Sequence, residues 1–192
     1  MVAIQERFPR FTPAEYLDWE EQQEFRHEYI DGEAYAMSGG TVNHGRISAN
    51  CILLIGSHLR GSSCLVQTSD VKVSIQESRD YVYPDVSVTC HEQDRTATKF
   101  ISHPCLIVEV LSPSTAAYDR GDKFTMYRRS PSLQDYMMVD ANKIAIDMYH
   151  KNDLGRWEIV NYRTGDMVEL ASIDLIFPIE RIFEGIIFTD EE

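Results

Sequence analysis

Glu109 stands inside the run Leu106-Ile107-Val108-Glu109-Val110-Leu111. A carboxylate in an apolar strand costs several kcal/mol unless something compensates its charge. A second carboxylate, Asp85, follows Tyr83-Pro84 and opens another apolar stretch, Val86-Ser87-Val88, and Pro84 is tolerated there as a first strand residue. On neighbouring strands at matching height the two would converge, and two hard anionic oxygen donors are what Mg²⁺ or Mn²⁺ requires. Lys123 lies in the helix predicted after Glu109, with Asp119 one helical turn before it and Tyr127 one turn after, all on one face. An amine can be aimed at the strand carboxylates from there. A polarised phosphoryl oxygen, an activated water and a nearby ammonium are together the elements of phosphodiester hydrolysis.

The elements that must position these groups are legible in outline. Thr12 and Glu15 form a capping-box pattern before a short helix ending near Gln23. Asp31-Gly32 marks the turn of a β-hairpin. From Thr41 to Leu59 the apolar residues Val42, Ile47, Cys51, Ile52, Leu54, Ile55 and Leu59 recur at helical spacing, which predicts a core helix capped by Thr41 or Asn43. Four extended stretches follow, CLVQ, DVKVSIQ, YVYPDVSVTC and PCLIVEVLS. A helix is predicted from Ser112-Pro113-Ser114-Thr115 to the stop at Ser130-Pro131, and then come the strands LQDYMMVD, KIAIDMYHK and RWEIVNYR. This order is α+β and not a repeating βαβ pattern. The Gly39-Gly40 pair also lacks the spacing of a phosphate-wrapping loop, which excludes nucleotide-driven chemistry.

Pro84-Asp85 and then Glu109-Val110-Leu111 resemble the PD and (D/E)XK elements of the PD-(D/E)XK nuclease superfamily. One departure is that Leu111 stands where that superfamily has its lysine. The variant EVLSPST…YD…K…Y is similar to a restriction-endonuclease-like family abundant in cyanobacterial genomes, in which the lysine has migrated to the next helix. The likeness runs from Tyr29-Ile30-Asp31-Gly32-Glu33 through His44 to Tyr136 and Asp140. It implies a restriction-endonuclease-like core, a mixed β-sheet flanked by helices, and Mg²⁺- or Mn²⁺-dependent cleavage with DNA as substrate. Asp85, Glu109 and Lys123 would be catalytic, and Asp85, Glu109 and a backbone carbonyl near Val110 would hold the metal. Glu28 and His44 would be accessory residues covering the site.

Each residue also has a plainer reading. Glu109 could be a structural carboxylate with a buried partner, Asp85 a turn residue, and Asp119 with Lys123 a solvated helical ion pair. His44 could be a hydrogen-bonded histidine at a helix start. Arg120, Lys123, Arg128 and Arg129 could contact a DNA backbone or simply complement a helix dipole. A catalytically inactive nuclease-fold module that binds protein or nucleic acid is a second reading, and a sugar hydrolase using two carboxylates a third.

With 192 residues, 43% hydrophobic and 26% charged, the chain has the composition and length of one folded domain, 1–192, that needs neither disulfide nor metal to support its core. The four cysteines, Cys51, Cys64, Cys90 and Cys105, form no CxxC pair and predict buried free thiols. The net charge of −13 argues against binding nucleic acid through a broad positive surface, although the stretch from 165 to 192 holds eight acids against Arg181 alone and so carries much of it. No apolar run approaches bilayer length and the amino terminus lacks a secretion-signal pattern, which predicts a cytoplasmic protein without a membrane partner. The apolar tail LIFPIERIFEGIIF exceeds what a monomer needs and predicts a homodimer.

Overall fold

The structure is a computed structural model describing residues 10–37, 39–76, 78–112 and 118–188. Helix α1 (Pro13–Glu20) starts with the capping box as predicted: Glu15 N donates to Thr12 Oγ1 at 3.3 Å and Thr12 N donates to Glu15 Oε2 at 2.7 Å. Strands β1 (His27–Ile30) and β2 (Glu33–Ala36) form the hairpin around Asp31-Gly32, both residues having positive φ. Helix α2 (Val42–His58) is capped by Thr41, whose Oγ1 accepts from His44 N at 3.2 Å.

Strands β3 (Leu65–Thr68), β4 (Lys72–Ile75), β5 (Asp80–Val82) and β6 (Val86–Thr89) precede a short helix α3 (Glu92–Arg95). After them come β7 (Phe100–Ile101) and β8 (Pro104–Leu111), then a π-helical turn, Asp119–Lys123, that continues as helix α4 (Phe124–Tyr127). Strands β9 (Asp135–Asp140), β10 (Ala145–Lys151), β11 (Trp157–Arg163), β12 (Met167–Leu170) and β13 (Leu175–Pro178) complete the fold. The predicted helix start at Pro113-Ser114-Thr115 lies outside the described residues.

A six-stranded mixed sheet runs β11-β10-β9-β8-β6-β3, with only β8 and β9 parallel. The parallel pair requires a crossover, and the 119–127 helical segment lies on it. A five-stranded sheet runs β2-β1-β5-β4-β7 beside it. Residues of α2 (Ile47, Cys51, Ile55) pack on Val86, Val88, Leu106, Val108 and Val110. On the opposite face of β8, Ile107 and Leu111 join Met126, Tyr127, Tyr136 and Met138 in a second cluster. Alternation along β8 puts Glu109 on the face of Ile107 and Leu111, toward the 119–127 segment.

Two expectations need correction. The stretch YVYPDVSVTC is not one strand: β5 belongs to the five-stranded sheet and β6 to the six-stranded one, because Pro84 has no N–H to continue a ladder and the chain changes sheet there. The cysteines are not all free. Cys64 and Cys90 form a disulfide while Cys51 and Cys105 are buried thiols; the pairing Leu65↔Thr89 places Cys64 opposite Cys90, a register that spacing along the chain does not reveal. In the apolar tail, Leu175, Phe177, Ile179, Ile182 and Phe183 are buried in the α2-side core, while Ile176 and Ile187 are exposed.

Candidate active site

The register Val86↔Val108 between β6 and β8, continued by one residue, brings Asp85 beside Glu109. Asp85 Oδ2 accepts from Val110 N at 2.7 Å and lies 3.2 Å from His44 Nε2. His44 reaches it from the first turn of α2, and the approach depends on Gly40: a Cβ there would stand 2.6 Å from His44 Nδ1. Hydrogen bonding to the Asp85 carboxylate raises the His44 pKa against the opposing effect of burial.

Glu109 is 5% exposed. Its Oε1 accepts from Lys123 Nζ at 3.0 Å and from Tyr127 Oη at 2.6 Å. Lys123 also lies 3.4 Å from Asp119 Oδ1 and 3.7 Å from Glu28 Oε1. Asp119 with Lys123 is therefore not a solvated pair: Asp119 is buried, the Lys123 side chain is 11% exposed, and the ammonium is shared among three carboxylates. Glu28 Oε1 accepts in addition from Tyr83 N at 3.3 Å, and Tyr136 Oη fixes the helical segment by donating to the Asp119 carbonyl at 3.0 Å.

Burial pushes the Glu109 pKa up to about 8; the Lys123 ammonium pulls it down, while Asp85, Asp119 and Glu28 push it further up. Lys123, despite its burial, is held well above the ordinary lysine value by Glu109, Glu28 and Asp119 and stays charged. Four carboxylates thus face one lysine and one histidine, a negative excess that a divalent cation would relieve. Among the described residues no three His, Cys, Asp or Glu side chains already form a metal-ligand cluster. The donors that fit are the Asp85 and Glu109 carboxylates, with main-chain and water oxygens filling the remaining positions, a ligand set ordinary for Mg²⁺.

All six residues singled out in the sequence, Asp85, Glu109, Lys123, Val110, Glu28 and His44, line one cavity of about 420 Å³. Sequence reasoning placed Tyr127 on the face of Lys123 but not on Glu109, and it gave no role to Tyr118, the tyrosine of the YD pair, whose ring lies 6.0 Å from Lys123 Nζ. A tyrosine next to a helix start carries no signal without the fold. Tyr83 was legible only as the neighbour of Pro84-Asp85.

The sequence model of the Uma2 family, described as "Putative restriction endonuclease", matches residues 13–180. Two proteins of Synechocystis sp. (strain ATCC 27184 / PCC 6803 / Kazusa), both named as uncharacterized, are similar. One, slr1290, is 51% identical over 181 residues, 94% of this chain and 95% of its own. The other, sll1609, is 34% identical over 168 residues, 86% of this chain and 93% of its own. Among solved structures, a crystal structure described as "a putative nuclease belonging to DUF820" from Anabaena variabilis ATCC 29413 superimposes with a TM-score of 0.77. It covers 92% of this chain and 99% of that one at 18% identity. A likeness at that identity establishes the fold: a mixed α+β, restriction-endonuclease-like core. Among the described residues no helix is long and apolar enough to cross a membrane.

Proposed function

Since the chain belongs to the Uma2 family of restriction-endonuclease-like proteins, we propose that it is a Mg²⁺-dependent endonuclease that hydrolyses DNA phosphodiester bonds. The observation that carries this reading is the convergence of Asp85, Glu109 and Lys123, with Lys123 Nζ donating to Glu109 at 3.0 Å. Leu111 leaves the usual lysine position without an amine, and the lysine of the following helix supplies one at the same carboxylate. That supports catalysis over an inactive binding module.

Asp85 and Glu109 would hold the ion, with the main-chain carbonyl near Val110. A bound Mg²⁺ supplies Lewis-acid polarisation of the phosphoryl oxygen and a more acidic water. The remaining roles belong to the chain itself. Lys123 and Tyr127 fix the carboxylate of Glu109 through bonds to its Oε1. The Lys123 ammonium orients the attacking water and stabilises charge developing on the phosphate oxygens in a site where the dielectric is low. His44 and the Val110 N–H fix Asp85 in the same way.

The test is incubation of purified protein with supercoiled and single-stranded DNA in Mg²⁺, Mn²⁺ or EDTA, with Glu109→Ala alongside to expose contaminating nuclease. Metal-dependent cutting by the wild type alone is expected. Folded wild-type protein that cuts nothing in any metal would return the balance to the binding module.

A further inference from the structure

A second and larger cleft, about 940 Å³, opens beside the active-site cavity and shares His44, Tyr83 and Asp85 with it. Its wall holds Lys72, the first residue of β4, which is only 7% exposed. Among the described residues the Lys72 ammonium makes no side-chain hydrogen bond and no ion pair. Instead it faces aromatic rings, 5.0 Å from the centre of Tyr16, 5.7 Å from Tyr83 and 6.0 Å from Tyr81.

The other charged groups of this wall are already engaged. Glu21 pairs with Lys99, and Asp70 with Arg26. Glu20 accepts from Tyr83 Oη at 3.0 Å and from His27 N at 2.9 Å, and Asp85 is held by His44 and Val110. Glu24 is exposed. Lys72 is therefore a mostly buried side chain whose ammonium has no direct counter-ion among the described residues. Burial pulls its pKa down, against the more distant attraction of Glu20 and Glu21. Ring contacts compensate only part of the hydration lost by this mostly enclosed ammonium, and an anion entering the cleft would add a direct counter-charge. The place of the cage identifies that anion: Tyr83, one of its walls, is followed by Pro84 and then by Asp85 of the active site.

We propose that Lys72 and its tyrosine cage form a phosphate-binding subsite that holds a backbone phosphodiester of the nucleic acid strand flanking the bond placed at Asp85 and Glu109. The inference rests on the nuclease reading above and adds a positioning residue to it. It also accounts for how a chain of net charge −13 would engage a polyanion: one cation lining a cleft replaces a broad basic face.

The test is fluorescence anisotropy with a labelled duplex oligonucleotide in EDTA, across a salt series, for wild type, Lys72→Met and Lys72→Arg. The expected result is a five- to tenfold loss of affinity in Lys72→Met and a log–log salt slope shallower by about 0.9, the value for one phosphate contact on duplex DNA, with Lys72→Arg restoring the slope. An unchanged slope in folded Lys72→Met overturns the proposal, as does an oligonucleotide that binds no better than a mononucleotide, which would assign the cage to free nucleotides. If Lys72→Met does not fold, acylation of the wild-type amine, read by peptide mass spectrometry, decides: the oligonucleotide must protect Lys72, and equal labelling with and without it overturns the proposal. Metal-dependent cutting with no Lys72 effect on binding removes this inference and leaves the nuclease. A Lys72-dependent slope with no cutting removes the nuclease and leaves the subsite.

Discussion

Lys123 Nζ donates to Glu109 Oε1 at 3.0 Å from a helical segment fourteen residues further along the chain. The amine enters from the crossover between parallel strands β8 and β9, on the face of β8 that alternation assigns to Glu109. Substituting Lys123→Met therefore leaves Glu109, Asp119 and Glu28 without their shared cation. The expected cost is about 3–5 kcal/mol of stability, the usual result of breaking a buried ion pair. Thermal melts check it, and Mn²⁺ is expected to recover part of the loss by neutralising the same carboxylates.

Tyr127 Oη is the second donor on that oxygen, at 2.6 Å. Tyr127→Phe keeps the ring in its core position and removes only the hydroxyl, so a loss of about 1–3 kcal/mol is expected in urea unfolding. Cleavage should fall in parallel, since Glu109 loses one of the two bonds that fix its orientation.

Gly40 is required by space. A methyl group there would meet His44 Nδ1 at 2.6 Å and Cγ at 2.8 Å, so Gly40→Ala displaces the imidazole from Asp85. Misplacing a group by about an ångström at a reacting centre costs on the order of 100-fold. The expectation is a fall in cleavage rate approaching that size, measured at saturating DNA, with thermal stability near wild type because the loop is at the surface.

Asp94 gives a pH dependence remote from the site. Burial alone would raise its pKa, but the N–H groups of Ser102 and His103 and the Thr89 hydroxyl, bonded at 2.9, 2.9 and 2.7 Å, outweigh burial and hold it below the ordinary aspartate value. A carboxyl depressed in the folded state contributes stability that is fully present above its unfolded pKa, about 3.9, and is lost as pH falls through the lower folded value. Urea midpoints measured below pH 5 should fall more steeply for wild type than for Asp94→Asn. Parallel slopes would show that Asp94 carries no such linkage.

The parts of this molecule that the sequence reveals are those where physical chemistry is local. Glu109 is conspicuous because a charge in an apolar strand demands a partner, and helical periodicity places Lys123, Asp119 and Tyr127 on one face whatever surrounds them. Thr12 and Glu15 specify a helix start within a single turn. What stayed hidden depends on register between distant segments. The opposition of Cys64 and Cys90 follows from the β3–β6 pairing. The break of YVYPDVSVTC into two strands follows from two sheets meeting at Pro84. Lys72 reads as the polar position of an alternating strand, yet Tyr16 from α1 and Tyr81 and Tyr83 from the end of β5 enclose it.

Titration calorimetry with Mn²⁺ on wild type, Asp85→Asn and Glu109→Ala tests most directly whether these two carboxylates form the cation site on which the functional account depends. Wild type should bind, and each substitution should abolish binding or weaken it at least tenfold, the equivalent of about 1.4 kcal/mol, while circular dichroism shows a folded chain. Mn²⁺ affinity unchanged in Glu109→Ala would contradict the assignment of the site.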